Sequence, residues 1–260
     1  MPFLQTRNTT LYYGTILSDF TTAPFPTQEV LLVHGFASTP EHDFEQSLPS
    51  LRSHYRLLAP HLHGYGRSSH RTNYPITYYR EDVADLIALL DALAIEQILV
   101  LGFSDGGIVS LLLAALHPQR VKALAVLGAQ PTVNAQDVAA IRHWLLETPF
   151  SPELQEQFAA MHGSPYWQSL PAMYVAGQEA LVANGGTIIT DAELATIRCP
   201  TLIMHGKYDK IVPVAYAQVL AQKIPDSQLL LFDAGHAAHV RCEPAYTAAV
   251  LSFFEHGTLS

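Results

Sequence analysis

Short apolar runs alternate along the chain with longer segments in which apolar residues recur at helical spacing. The runs contain few polar positions, as is typical of strands that are covered by helices on both faces. They are EVLLVHGF (29–36), YRLLAP (55–60), QILVLGFS (97–104), VKALAVLGA (121–129), TLIMHGK (201–207) and SQLLLFDAG (227–235).

The segments between these runs predict helices. In 78–93, Val83, Leu86 and Leu90 fall on one helical face. The other candidates are 106–118, 212–224 and 244–256. Repeated alternation of strand and helix predicts a mainly parallel sheet in a three-layer α/β domain. The stretch TTAPFPT (21–27) is interpreted as a turn between an N-terminal hairpin and this core.

The alternation is interrupted once, between residues 131 and 197, where the pattern is helical and aromatic. Both tryptophans, Trp144 and Trp167, lie there. We interpret 131–197 as a helical cap inserted into a core domain formed by 1–130 and 198–260. An apolar cap would favour short or medium acyl and aryl groups in a substrate.

Composition narrows the class of protein. With 49% hydrophobic and 14% charged residues, the 260-residue chain is globular. Its formal charge of −9, without a basic cluster, argues against nucleic acid as a partner. Two cysteines, Cys199 and Cys242, are too few for a disulfide framework. Apolar runs such as 108–116 are too short to span a bilayer, and the first residues do not resemble a leader. We expect a soluble cytoplasmic protein without a membrane partner, either monomer or homodimer.

The segment GFSDGG (102–107) holds the strongest candidate for catalysis. Ser104 follows a predicted strand, opens a predicted helix and lies between Gly102 and Gly106. This is the context of a nucleophile elbow, a bend that exposes the serine hydroxyl. The alternative, an ordinary glycine-rich turn, explains less of the pattern.

A serine nucleophile needs a base, and His236 is the candidate among 13 histidines because it follows the last predicted strand. His239 is its rival, three residues later, and is interpreted as structural. A metal site built on these two histidines has no third ligand at a recognisable spacing, so no metal is expected.

The acid that orients the base is predicted to be Asp209, which follows the strand 201–207. The order Ser104, Asp209, His236 favours this role over that of a residue at a helix N-terminus. Asp137 is the second choice, since no strand precedes it.

Backbone N–H groups of Phe36 and Asp105 are the predicted oxyanion donors, and both residues are candidate substrate contacts. Phe36 follows the strand 29–36 in the segment HGF, and Asp105 follows the nucleophile. Two interpretations of the Asp105 side chain remain open. It caps the following helix, or it pairs with a cationic substrate group such as an α-amino group.

Together, the segments LLVHGFASTPEHDFEQSLPSL, GYGRS, GFSDGG, CPTLIMHGKYDKIVP and AGHAAHVRCEP resemble the α/β-hydrolase superfamily over about residues 29–256. The SDGG form and the aromatic cap are similar to the biphenyl-hydrolase-like group of amino-acid-ester hydrolases. This resemblance implies an α/β-hydrolase fold, with a mainly parallel eight-stranded sheet, a cap over the site and no cofactor. His61 and His63 stand where the family often has aspartate and arginine.

The expected function is a serine hydrolase, carboxylesterase-like, that cleaves esters of small, partly apolar molecules, with amino-acid esters among the candidates. The nearest alternative enzyme is a carbon–carbon bond hydrolase of ring-cleavage products. A serine at position 104 argues against dehalogenase or epoxide hydrolase chemistry, for which the resemblance requires aspartate. A small-molecule binding or receptor protein on the same fold is the alternative outside enzymes.

Overall fold

A computed structural model describes residues 2–6, 9–16 and 28–259. In that part of the chain, eight strands form one sheet in the order β1-β2-β4-β3-β5-β6-β7-β8. The strands are β1 (Phe3–Gln5), β2 (Thr10–Ile16), β3 (Glu29–Val33), β4 (Arg56–Pro60), β5 (Ile98–Phe103), β6 (Val121–Leu127), β7 (Thr201–Gly206) and β8 (Ser227–Phe232). Strands β3 to β8 are mutually parallel, whereas β2 pairs antiparallel with both β1 and β4.

Two helical layers cover the sheet. The helices are α1 (Pro40–Asp43), α2 (Leu48–His54), α3 (Tyr78–Ala92), α4 (Asp105–Leu116), α5 (Ala135–Arg142), α6 (Pro152–His162), α7 (Leu170–Ala183), α8 (Asp191–Leu194), α9 (Ala215–Lys223), α10 (Ala238–Arg241) and α11 (Glu243–His256). A π-helical turn (His143–Glu147) follows α5, and a 3₁₀ turn (Tyr166–Ser169) precedes α7.

Strand β3 shows why three layers form. Leu31 and Val33 pack into the apolar cluster that contains α3, α4 and α9 residues, whereas Val30 and Leu32 pack into the cluster of α2 and α11. Successive side chains of a strand point to opposite faces, so a strand covered on both sides must be apolar at every position. The predicted α/β-hydrolase fold is confirmed. Most of the six predicted strands end one to three residues later in the sequence interpretation than in the structure.

The segment between β6 and β7 is helical, as the sequence predicts. It contains α5 to α8, with one isolated bridge between Thr132 and Thr187. Phe158, Trp167 and Tyr174 belong to the same apolar cluster as α3 and α4, so this segment shares a core with one face of the sheet. The interpretation of 131–197 as a helical cap inserted into the core domain stays a prediction. The turn predicted at 21–27 lies outside the described residues.

Strand register determines which loops meet. Val33 of β3 pairs with Gly102 of β5, so the loop after β3 lies beside the bend after β5. Gly206 of β7 pairs with Phe232 of β8, which brings the loops containing Asp209 and His236 together. All four loops lie at the carboxyl ends of parallel strands, where ligands bind in open α/β sheets.

Candidate active site

Ser104 lies on a strained bend between β5 and α4. Its backbone angles are φ 53° and ψ −122°, in a region that costs about 1–3 kcal/mol for a residue other than glycine. The bend is tight, since a Cβ on Gly106 would overlap the carbonyl oxygen of Val33, and one on Gly102 would overlap Gly106. The two glycines flanking Ser104 are therefore required by close backbone approach, which is the geometry of a nucleophile elbow.

The structure brings Ser104, His236 and Asp209 into one hydrogen-bonded chain. Nε2 of His236 lies 2.9 Å from Oγ of Ser104, and Nδ1 lies 2.7 Å from Oδ2 of Asp209. With Asp209 as acceptor, Nδ1 carries the proton and Nε2 is free to accept from the serine hydroxyl. The arrangement can transfer a proton from Ser104 to His236 and stabilise the resulting imidazolium.

Asp209 is held as a carboxylate. Its Oδ1 accepts hydrogen bonds from the backbone N–H groups of Ile211 and Val212, each at 2.9 Å. Burial opposes ionisation, but hydrogen bonds with His205 and His236 and the charge of His236 hold the pKa of Asp209 well below its usual range. A group kept ionised at this position can orient His236 at every pH near neutrality.

His205 is a contact of this site that the sequence interpretation missed. It is fully buried in β7, and its Nε2 lies 2.8 Å from the carbonyl oxygen of Val212 and 3.3 Å from Oδ2 of Asp209. The sequence places His205 near the end of a predicted strand, four residues before Asp209. That position alone does not distinguish a histidine that contacts the acid from one that only packs in the strand.

The rejected candidates lie elsewhere. His239 is buried, with its ring 4.2 Å from that of Phe103. Asp137 forms a capping box at the start of α5, where Oδ2 accepts from the backbone N–H of Asn134 and from the Tyr216 hydroxyl.

The loop after β3 is anchored beside Ser104. Oδ2 of Asp43 accepts from the N–H of Gly35 at 2.7 Å, and Oδ1 accepts from the Ser38 hydroxyl at 2.7 Å. The His34 ring donates from Nδ1 to the carbonyl of Gly35 at 2.8 Å and accepts from the N–H of Leu62 at 2.9 Å. Burial lowers the pKa of His34 to about 4, so the ring stays neutral and keeps this acceptor. The ring of His34 therefore ties the loop after β3 to the loop after β4.

Both residues predicted to supply oxyanion donors line the cavity that exposes Ser104 and His236. Phe36 and Asp105 share its wall with Ile141, Trp144 and Tyr174 from the helical segment. Among the described residues that line this cavity, Asp105 carries the one carboxylate and none is lysine or arginine, so no fixed cation there offsets its charge. Gln130 also lines the wall, and its buried Oε1 has no hydrogen-bond partner among the described residues.

The Asp105 carboxylate makes no capping hydrogen bond to α4. The N-cap of α4 is Ser104, with no side-chain capping hydrogen bond, and Oδ1 of Asp105 instead accepts from the hydroxyls of Tyr79 at 2.9 Å and Tyr174 at 2.8 Å. The capping interpretation is therefore wrong as to its hydrogen bond. Oδ2 is buried without a partner among the described residues. Burial raises the pKa of Asp105 to about 6, although both tyrosine hydrogen bonds act to lower it.

His61 and His63, the two departures from the family pattern, are not among the residues that line this cavity. Nδ1 of His61 accepts from the N–H of Arg67 at 2.9 Å, and its Nε2 lies 3.0 Å from a carboxylate oxygen of Glu41. The carbonyl of His63 accepts from Nε of Arg71 at 2.8 Å. Both therefore shape the loop after β4.

Two searches of the described residues found nothing. No group of three histidine, cysteine, aspartate or glutamate side chains there is placed to hold a metal ion. None of the helices in that part of the chain has the length and apolar content needed to cross a membrane.

Comparison with known proteins gives one family. Residues 29–166 match the family described as alpha/beta hydrolase fold. The chain is 29% identical to the serine hydrolase BPHL of Mus musculus over 230 residues, covering 87% of this chain and 79% of the mouse protein. It is 27% identical over 259 residues to a 2-hydroxy-6-oxo-2,4-heptadienoate hydrolase of Pseudomonas putida, covering 86% and 88%.

Solved structures agree on the architecture. A serine hydrolase from the polyaromatic-hydrocarbon-degrading bacterium Cycloclasticus zankles is 26% identical, with a TM-score of 0.77 over 97% of this chain and 96% of that one. The meta-cleavage product hydrolase CumD of Pseudomonas fluorescens superposes with a TM-score of 0.80 over 96% of each chain, at 21% identity. The second likeness speaks for the fold alone.

Proposed function

The chain belongs to the α/β-hydrolase superfamily, and on that premise we propose that it is a serine hydrolase that cleaves carboxylic esters of small, partly apolar molecules. The observation that carries this proposal is the hydrogen-bonded series Ser104, His236 and Asp209, of which Ser104 and His236 line a largely apolar cavity. A serine hydroxyl is a weak nucleophile until an oriented base removes its proton, and His236, held by Asp209, is placed to be that base.

The geometry leads to a two-step reaction. Oγ of Ser104 attacks the ester carbonyl while its proton passes to Nε2 of His236, and Asp209 stabilises the imidazolium. The tetrahedral intermediate collapses as His236 returns the proton to the leaving alkoxide, which leaves an acyl group on Ser104. Water, deprotonated by His236, then attacks the acyl carbonyl; the bond to Ser104 breaks, His236 returns the proton to Oγ of Ser104, and the acid is released.

The oxyanion of each intermediate is assigned to the backbone N–H groups of Phe36 and Asp105. Gly35 lets the loop after β3 approach, since a Cβ there would lie 3.2 Å from Cβ of Ser104. Asp43 and His34 hold that loop in place before substrate arrives. Donors fixed in advance contribute about 2.7–4 kcal/mol each to lowering such a barrier.

The proposal extends to esters that carry a cationic group near the carbonyl, such as amino-acid esters. Asp105 is the residue next to the nucleophile, and its Oδ2 has no hydrogen-bond partner within the described part of the chain. A buried acceptor without a partner costs about 1–3 kcal/mol, and an ammonium group of the substrate would supply the missing hydrogen bond and the opposite charge.

Hydrolysis of a carbon–carbon bond is the second candidate, because relatives such as the Pseudomonas putida dienoate hydrolase carry that name. A dienoate substrate bears a carboxylate, which would enter a cavity that Asp105 lines and to which no described lysine or arginine contributes. Burying two like charges together is unfavourable, so the cavity favours the ester reaction.

A panel of activated esters tests the proposal. We expect turnover of short acyl p-nitrophenyl esters by the wild-type protein and slow or no turnover of ring-cleavage dienoates. The reverse order would replace the ester reaction with carbon–carbon cleavage. Binding of esters without release of p-nitrophenol would indicate a receptor on the same fold.

A further inference from the structure

Two tyrosine hydroxyls hold one oxygen of the Asp105 carboxylate. Tyr79 comes from α3 of the core and Tyr174 from α7 of the inserted segment, 26 and 69 residues away along the chain. Both donate to Oδ1, and Oδ2 receives no hydrogen bond from the described residues. The carboxylate is therefore asymmetric, with one saturated oxygen and one available oxygen.

Both tyrosine hydroxyls act as donors in these hydrogen bonds. Burial and the charge of Asp105 raise the pKa values of Tyr79 and Tyr174 well above 10, so both hydroxyls keep their protons and act as donors. Nε2 of Gln178 donates to the hydroxyl oxygen of Tyr78 at 2.9 Å and to that of Tyr79 at 3.4 Å. Gln178 thus occupies an acceptor site of Tyr79, which leaves its proton for Asp105.

Tyr174 also contacts the other predicted oxyanion residue. Its ring lies 4.0 Å from that of Phe36, between centroids. One side chain of the helical segment therefore contacts both residues that are assigned to the oxyanion. The position of α7 and the orientation of the Asp105 carboxylate are coupled through this contact.

We propose that Tyr79 and Tyr174 are positioning residues that determine selectivity for esters bearing a cationic group, because they hold Oδ1 of Asp105 and leave Oδ2 for the substrate. This inference rests on the proposed function of the site. Without either hydroxyl the carboxylate can rotate toward the remaining donor, and its charged form loses a hydrogen bond.

The other ionisable groups around Asp105 give its negative charge little support. The groups that face it electrostatically are Tyr65, Arg71, Tyr74, Tyr78, Tyr79, Asp82, Tyr174 and His236. Arg71 is already paired with Asp82, and His236 with Asp209. The two tyrosine hydrogen bonds are therefore the main local support for the charge, and removing one should raise the pKa of Asp105 above about 6.

The test compares two esters that differ in one amino group, L-alanine benzyl ester and benzyl propanoate. Their ratio of kcat/KM is measured between pH 5 and pH 7 for the wild type, Tyr174→Phe and Tyr79→Phe. The two esters share the same catalytic groups, so an effect of pH on the shared chemical steps cancels in the ratio. The control is Tyr74→Phe, a buried tyrosine whose hydroxyl bonds to Tyr65 and whose ring packs edge-on against Tyr174.

In the wild type we expect the ratio to favour the amino ester and to fall as pH drops through about 6. Tyr174→Phe and Tyr79→Phe should each lower the ratio at pH 7 by roughly tenfold and move its pH midpoint upward. The control should keep the wild-type ratio and midpoint. A purely structural role would lower both rates together and leave the ratio unchanged.

Three results overturn the inference, and they are distinguishable. If the wild-type preference persists unchanged in both Tyr174→Phe and Tyr79→Phe, only the positioning role of the two tyrosines is refuted. If the wild type hydrolyses the two esters equally, the proposed selectivity is refuted together with that role. If it hydrolyses neither ester, the proposed function is refuted as well.

Discussion

Nε2 of His205 lies 3.3 Å from Oδ2 of Asp209, the same oxygen that accepts a hydrogen bond from Nδ1 of His236. His205 is fully buried, and its Nε2 also donates to the carbonyl oxygen of Val212 at 2.8 Å. This second histidine links the strand β7 to the acid of the site. It therefore helps to determine the orientation of Asp209, and through it that of His236.

Replacing His205 with leucine should raise the pKa of Asp209 and lower kcat/KM for an activated ester by roughly tenfold, since one hydrogen bond to a charged group is lost. His205→Gln retains an N–H donor and is the matched variant. Ester kinetics and melting temperature measured together check this. Equal activity of the leucine variant and the wild type would exclude an effect of His205 on the acid.

Ser104→Ala should lower kcat for an activated ester by about 10⁴–10⁶, because the nucleophile and base act as a unit. Mass spectrometry after treatment with a serine-directed phosphonate should place the adduct on the peptide that contains Ser104. The Ser110→Ala variant, altered one turn into α4, serves as a labelling control. Wild-type turnover by Ser104→Ala would refute the mechanism.

Asp105→Asn should reduce kcat/KM for an amino-acid ester by about tenfold to a hundredfold more than for the matched ester without an amino group. The reason is the loss of a charge-assisted hydrogen bond of about 1.5–3 kcal/mol. Steady-state kinetics on the two esters at pH 7 measure this difference. Equal losses on both would mean that the carboxylate does not contact the amino group.

Asp105→Asn, which should lower activity, should increase the stability of the folded protein. The pKa of Asp105 is raised from 3.8 to about 6 in the folded protein, so its charge disfavours folding above pH 6 and has no such effect below pH 4. Asp105→Asn should therefore increase the free energy of unfolding at pH 8 by up to ~3 kcal/mol. Urea unfolding at pH 4 and pH 8 checks it, and a gain that does not grow with pH contradicts the assignment.

Trp144 should report ligand binding. It lines the cavity and is 37% exposed, whereas Trp167 is buried. Inhibitor binding should change tryptophan fluorescence in the wild type and in Trp167→Phe, but not in Trp144→Phe. A fluorescence response that survives in Trp144→Phe would place the ligand elsewhere.

The same cavity should accept short and medium acyl or aryl esters in preference to long lipid esters.

The local pattern of the sequence determined the fold and the bend at Ser104. Apolar strands, helical spacing and glycines beside a serine are patterns of a few neighbouring residues, so they can be recognised in the sequence without the structure. Chain order then singled out Asp209 and His236, and strand register explains why these loops meet. The eight-stranded sheet was expected through family resemblance, since the first two strands carry little pattern of their own.

Only the tertiary structure decided what surrounds these groups. Nothing near Asp105 in the sequence indicates Tyr79 or Tyr174, and nothing near Asp209 distinguishes His205 from the other histidines. The capping hydrogen bond expected of Asp105 was wrong for the same reason, because its Oδ1 accepts from two hydroxyls that are distant in sequence. Burial and the pKa values that follow from it depend on contacts between residues far apart in the chain, and such contacts leave no periodic signal in the sequence.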